Sequence, residues 1–194
     1  MKLKNLQTKF LGRKVFYYKT IDSTQKEIWR RIDNYDIENG TLIYTDFQTS
    51  GIGTHGRKWY TDEYNNIAFS FFININCDIE KLEGITIEIA EVIKEILKKR
   101  YNINVQIKYP NDIYYSGKKL GGILTQTKVF LNKIKYLVVG IGINTNKQYF
   151  NEKIKDIATS IKKEFSIEIN KEEFITDFCN EFEKRIIKRG EKVK

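Results

Sequence analysis

From Asn66 to Asn76 apolar residues fall at every second position, so Ile67, Phe69, Phe71, Ile73 and Ile75 share one side. That period belongs to an extended chain and predicts a half-buried strand. Over residues 80–100 the period lengthens. Ile85, Ile89, Val92, Ile93, Ile96 and Leu97 fall at helical spacing, which predicts an amphipathic helix. A second helical stripe, Phe174, Phe178, Phe182 and Ile186, follows Asn170 and Glu173, which are spaced as a capping box; Gly190 is the predicted stop. Near the N-terminus, Asp22 or Ser23 can cap a helix that carries Ile28, Trp29 and Ile32 on one side. Further strands are predicted at 13–19, 41–48, near 103–109, and at 112–116, 118–129 and 134–143, with a tight hairpin at Ser116–Gly117. A short helix is expected from Asp156 to Lys163. Hairpin-linked strands with separate helices point to an α+β fold: a mixed, largely antiparallel sheet with helices packed on one face. No repeat or linker divides residues 1–194, so a single domain is expected.

Composition changes this picture little. A chain of 194 residues can bury a core without disulfides or metal. No apolar run reaches membrane-span length, and the first ten residues hold no signal-peptide stretch, so a cytoplasmic protein with no membrane partner is expected. Cys77 and Cys179 read as reduced, buried thiols. With His55 the sole histidine, neither a structural zinc site nor a catalytic triad is supported. The net charge of +9 favours acidic partners. Its lysines are spread along the whole chain, however, so no specific nucleic-acid site is expected.

Candidate chemistry concentrates in four segments. The richest is Lys108 to Leu124, K-Y-P-N-D-I-Y-Y-S-G-K-K-L-G-G-I-L, which contains the sole proline, Pro110. Its lysines can hold phosphate or carboxylate oxygens, Asn111 suits the edge of a nucleobase, and Gly121-Gly122 clears space for a ligand or a second backbone. Gln48 to Trp59 places three glycines in six residues, so its N–H groups can face an anion; a surface loop is the alternative. It is neither a P-loop nor a dinucleotide fingerprint. Val138 to Asn146 reads by itself as a buried strand with two close-approach glycines, and Asp22 to Gln25 as a helix cap.

Taken together, these segments resemble the biotin–protein ligase family. The family's ordered blocks are S-T-N, a glutamine before G-R-G-R-x-G-R, K-W-P-N-D, K-L-x-G-I-L and G-I-G-I-N. Their counterparts here are Ser23-Thr24-Gln25, Gln48, Gly51 to Trp59, Lys108 to Asp112, Lys119 to Leu124 and Gly140 to Asn144. The resemblance implies a fold like that of class II aminoacyl-tRNA synthetases and biotin synthetase. It also implies an enzyme that activates biotin with ATP and Mg²⁺ to biotinyl-5′-AMP, then transfers biotin to a lysine of a biotin carboxyl carrier protein. By that pattern biotin would lie against Ser23, Thr24, Gln25, Gln48, Gly51, Ile52, Gly53, Thr54, Lys119, Gly121 and Gly122. Arg57, Trp59, Lys108, Asn111 and Asn144 would face ATP, and Lys119, Arg57 and Asp112 would be catalytic, with no metal site belonging to the protein. Ile52 and Thr54 stand where the family has arginines, which predicts weaker adenylate retention. Gln25 replaces Asn, and Tyr109 replaces Trp. The resemblance further leads one to expect a catalytic domain with neither the N-terminal helix-turn-helix nor the C-terminal SH3-like barrel of many relatives, and a possible homodimer through a sheet edge. A lipoate- or octanoate-transferring ligase and a non-catalytic biotin-binding module are the competing readings.

Overall fold

The computed structural model describes residues 2–61 and 65–191. In chain order the elements are β1 (Val15–Ile21), α1 (Thr24–Asp33), β2 (Leu42–Gln48), β3 (Asn66–Asp78), α2 (Ile85–Tyr101), β4 (Gln106–Lys108), β5 (Asp112–Tyr115), β6 (Lys118–Phe130), β7 (Lys133–Asn144), α3 (Ile161–Phe165) and α4 (Lys171–Glu191). Single 3₁₀ turns occur at Thr54–Gly56 and Ile79–Leu82. The strands form one sheet in the order β1-β2-β3-β7-β6-β5-β4. Only the β1–β2 pair is parallel, because α1 carries the chain back between them; every other pair is antiparallel. This is the expected mixed, largely antiparallel α+β architecture.

Alternation along the strands divides the apolar residues between the two faces. Leu42, Tyr44, Phe69, Phe71, Leu137, Val139 and Ile141 join Ile89, Ile93, Phe174, Phe178 and Phe182 in the main core, beneath α2 and α4. Phe178 meets the rings of Phe69, Phe71 and Phe182 at centroid distances of 5.4, 5.8 and 5.4 Å. Ile43, Phe72 and Val138 point the other way and pack on Ile28 and Ile32 of α1. One-face packing therefore holds for α2 and α4 and not for α1. For the same reason β3 is buried on both faces from Asn66 to Ile73, and it becomes half-exposed only beyond that point.

Two local predictions shift. The short helix begins at Ile161 and not at Asp156; Ser160 is its N-cap, its Oγ accepting from Lys163 N at 3.1 Å. The last helix runs through Gly190 to Glu191. The chain ahead of β1 is fastened to α4 by Glu183, whose buried carboxylate accepts from the backbone N–H groups of Lys9, Phe10 and Leu11. Cys77 and Cys179 are unpaired, as expected, and burial pushes both thiols up, that of Cys179 far up.

Candidate active site

Sheet register builds the site. Across the face that carries α1, Thr45, Ala68, Gly142, Gly122 and Asp112 form one row. The next row is Ile43, Ser70, Gly140 and Leu124. Small residues on adjacent strands leave a trough in a sheet otherwise covered by side chains. The N-terminus of α1 closes one side and the loop 51–59 the other. The resulting cleft is narrow, its free volume about 40 Å³, and Ser23, Gln48, Thr54, Asn111 and Lys119 are among its lining residues.

One end is a network of hydrogen-bonding side chains. The Oε1 of Gln48 accepts from Thr24 N at 2.9 Å and from Thr24 Oγ1 at 3.2 Å, and Thr24 Oγ1 lies 2.8 Å from Ser70 Oγ. Ser23 caps α1 through Lys26 N at 3.4 Å. Gln25, only 2 % exposed, donates through Nε2 to Gln126 Oε1 at 2.9 Å, while its Oε1 is buried without a partner among the described residues.

Glycines form the middle of the floor. A Cβ on Gly140 would lie 2.7 Å from Gln25 Oε1, and one on Gly142 would lie 2.4–2.6 Å from the Trp59 indole. The indole therefore rests on bare backbone, and its Nε1 is a second buried polar atom without a partner among the described residues. Trp59 is carried there by a compact loop in which Trp59 N donates to Gly51 O at 2.9 Å and Gly53 N to Arg57 O at 2.7 Å. Gly51 packs against the Gln48 amide, where a Cβ would come within 2.9 Å of Nε2.

At the other end Lys119 Nζ lies 2.7 Å from Asp112 Oδ1 and 6.0 Å from the centre of the Trp59 ring. The Lys119 backbone is clamped as well: its N–H donates to Ile157 O at 2.8 Å, and its carbonyl accepts from Thr159 N at 2.9 Å. Asn111 is set by β6, with Nδ2 donating to Ile123 O at 3.2 Å and its own carbonyl accepting from Ile123 N at 2.9 Å.

The structure thus brings Ser23, Thr24, Gln25, Gln48, Ile52, Gly53, Thr54, Trp59, Asn111, Lys119 and Gly122 together in one cleft, with Asp112 behind Lys119. Other candidates do not line it. Gly121 faces the main core, where a Cβ would meet Gly142 O at 3.0 Å and Ile143 at 3.5 Å; neighbours on a strand point to opposite faces. Arg57 is exposed and binds Thr54 of its own loop through O and Oγ1. Lys108 is exposed above the Tyr114 ring at 5.0 Å. Asn144 is buried and donates to Thr159 O at 3.0 Å, which braces the segment behind Lys119. Sequence reasoning missed Ser70, Gly140 and Gly142 as lining, and missed Gln126 and Trp29 behind Gln25. Ser70, a lone hydroxyl in F-S-F-F, was the available signal for the first of these.

Comparison with known proteins agrees with this geometry. The Biotin/lipoate A/B protein ligase family profile matches residues 17–144. "Bifunctional ligase/repressor BirA" of Bacillus spizizenii is 34% identical over 93% of this chain and 56% of its own length, and that of Bacillus subtilis is 32% identical over the same shares. The chain therefore spans a little over half the length of the curated relatives it matches. Among solved structures, the biotin protein ligase from Aquifex aeolicus in complex with biotin and ATP superposes with a TM-score of 0.72 at 30% identity, over 94% of this chain and 72% of that one. Motif order, sheet topology and cleft agree, and this chain belongs to the Biotin/lipoate A/B protein ligase family.

Proposed function

We propose that this chain activates biotin with ATP, giving biotinyl-5′-AMP and pyrophosphate, and passes the biotinyl group to a lysine of a biotin carboxyl carrier protein. The observation that carries this reading is a single cleft with a buried hydrogen-bonding end, a glycine floor and a fixed ammonium at the far end. A cyclic urea suits the first, an apolar ring and chain suit the second beside the Trp59 indole that covers Gly142, and a carboxylate suits the third.

The chemistry follows from the charges. A biotin carboxylate oxygen must attack the α-phosphorus while pyrophosphate leaves, so two anions have to meet. The ammonium of Lys119 would offset their repulsion as charge develops on the phosphorus-bound oxygens. The Asp112 carboxylate accepts from one of its three N–H groups and aims the others at the cleft. In the second step the carrier amine adds to the acyl carbon and AMP departs. Asn111 stands beside Lys119 on the side where the nucleotide would lie. Mg²⁺ enters as the counter-ion of the ATP phosphates. Among the described residues no three His, Cys, Asp or Glu side chains stand close enough to hold a metal without them.

The competing lipoate reading is disfavoured by Gln25. A dithiolane head offers no N–H to its buried Oε1, whereas a urea does. Among the described residues no helix is long and apolar enough to cross a membrane, and action in the cytoplasm is part of the proposal. The decisive experiment follows pyrophosphate release and transfer of labelled biotin to a carrier domain. Release that needs both biotin and ATP, and transfer lowered by about 10²–10³-fold in Lys119→Ala, are expected. Release without biotin, or equal transfer by both proteins, would overturn the reading.

A further inference from the structure

The cleft's unpartnered acceptor has its polarity set from outside the cleft. Trp29, on α1, donates through Nε1 to Gln126 Oε1 at 2.7 Å. An indole N–H can only donate, so the Gln126 amide has to present its oxygen there. That same oxygen lies 2.9 Å from the Gln25 amide, and the Gln25 atom facing it must therefore be the NH₂ group. Val138 O, 3.4 Å from the same nitrogen, is a second acceptor that favours this orientation. The carbonyl of Gln25 is then forced toward Gly140 and the cleft, buried and without a partner. Turning the Gln25 amide over would set its oxygen against the oxygens of Gln126 and Val138, acceptor against acceptor.

We propose that Trp29 and Gln126 are positioning residues that hold Gln25 as a hydrogen-bond acceptor, so that the cleft selects a head group bearing an N–H there. The proposal rests on the biotin reading of the same site. Neither residue lines the cleft; both act through Gln25. Gln25 is the residue that reads the ligand, and its longer side chain is what reaches Gln126 on β6.

The test measures, by calorimetry on the full chain, the Kd of biotin and of its two cyclic carbamate isosteres, in which one or the other ring N–H is replaced by oxygen. Wild type is expected to reject one of the two isosteres by about tenfold or more, the scale of one lost hydrogen bond with an acceptor left facing an acceptor. In Gln126→Leu and Trp29→Phe only the long 3.4 Å contact with Val138 O still orients the Gln25 amide, and discrimination should fall to about threefold or less. Gln126→Glu still accepts from both partners and should keep the wild-type ratio. A loss of affinity for both ligands by the same factor in Gln126→Leu, with the ratio unchanged, would overturn the relay and leave the biotin reading standing. Wild type that binds no biotin would overturn both.

Discussion

Lys119 and Trp59 show how single side chains decide this site. Lys119 is a cation held by Asp112 at one end of the cleft, and on the proposed function Lys119→Ala should lower biotin transfer by about 10²–10³-fold with folding intact, checked by steady-state transfer assays. The glycine floor makes a graded prediction. In Gly142→Ala the new methyl collides with a rigid indole, whereas in Gly122→Ala it meets the flexible end of Lys119 at 3.2–3.3 Å. Biotin Kd should rise about tenfold or more in the first and about threefold or less in the second, and the Trp59 fluorescence should shift to the red in the first alone, read in a Trp29→Phe background. Much of this chemistry was legible in sequence. Ser23, Thr24, Gln48 and Lys119 announce themselves as polar residues at motif spacing, and all four meet in the cleft. Ser70, Gly140 and Gly142 did not, because their function comes from lying side by side on different strands, and register is set by long-range pairing. Arg57 and Asn144 differ again: Arg57 is exposed and bonds to Thr54 of its own loop, and the buried Asn144 donates to Thr159 O.

At the scale of elements, periodicity read best where burial is one-sided and long. α2 and the phenylalanine stripe of α4 lie where the pattern placed them, while β4 shrank to Gln106–Lys108. α3 began late because Ser160, rather than Asp156, supplies the cap. α1 was found, but its side of the sheet was not predictable, since its apolar stripe fits either face. Two helix anchors carry testable weight. Glu183→Ala leaves three backbone donors without their acceptor and should cost on the order of 3 kcal/mol in urea unfolding, with Glu183→Gln losing less. At the head of α1, hydrogen bonds from Arg30 hold the Asp22 carboxyl below its ordinary value of 3.8, at about 2. A carboxyl lowered by folding stabilises the protein above its unfolded pKa and loses that contribution as pH falls through the folded one. Asp22→Asn should therefore lower stability near neutrality, flatten the acid limb between about pH 4 and pH 2, and match the wild type below that range, as thermal melts across pH would record.

In the whole molecule, the main core spans nearly the full chain, from Leu3 to Ile186. Phe178→Ala, at the meeting point of three other rings, should cost about 3–5 kcal/mol in denaturant unfolding. At the cleft mouth, Ile52 and Thr54 in place of arginines predict a faster off-rate for biotinyl-AMP than in arginine-bearing relatives, measurable by chase. The segment behind Lys119 has a different bearing. The family signature ends at residue 144, but the amide and carbonyl of Lys119 are completed by residues 157 and 159, and Asn144 holds that segment in turn. The family match and the hydrogen bonds that fix Lys119 therefore have different borders. A fragment cut where the motifs end would carry every recognisable block and still lack the backbone partners of Lys119, so the portable part of this fold is larger than its signature.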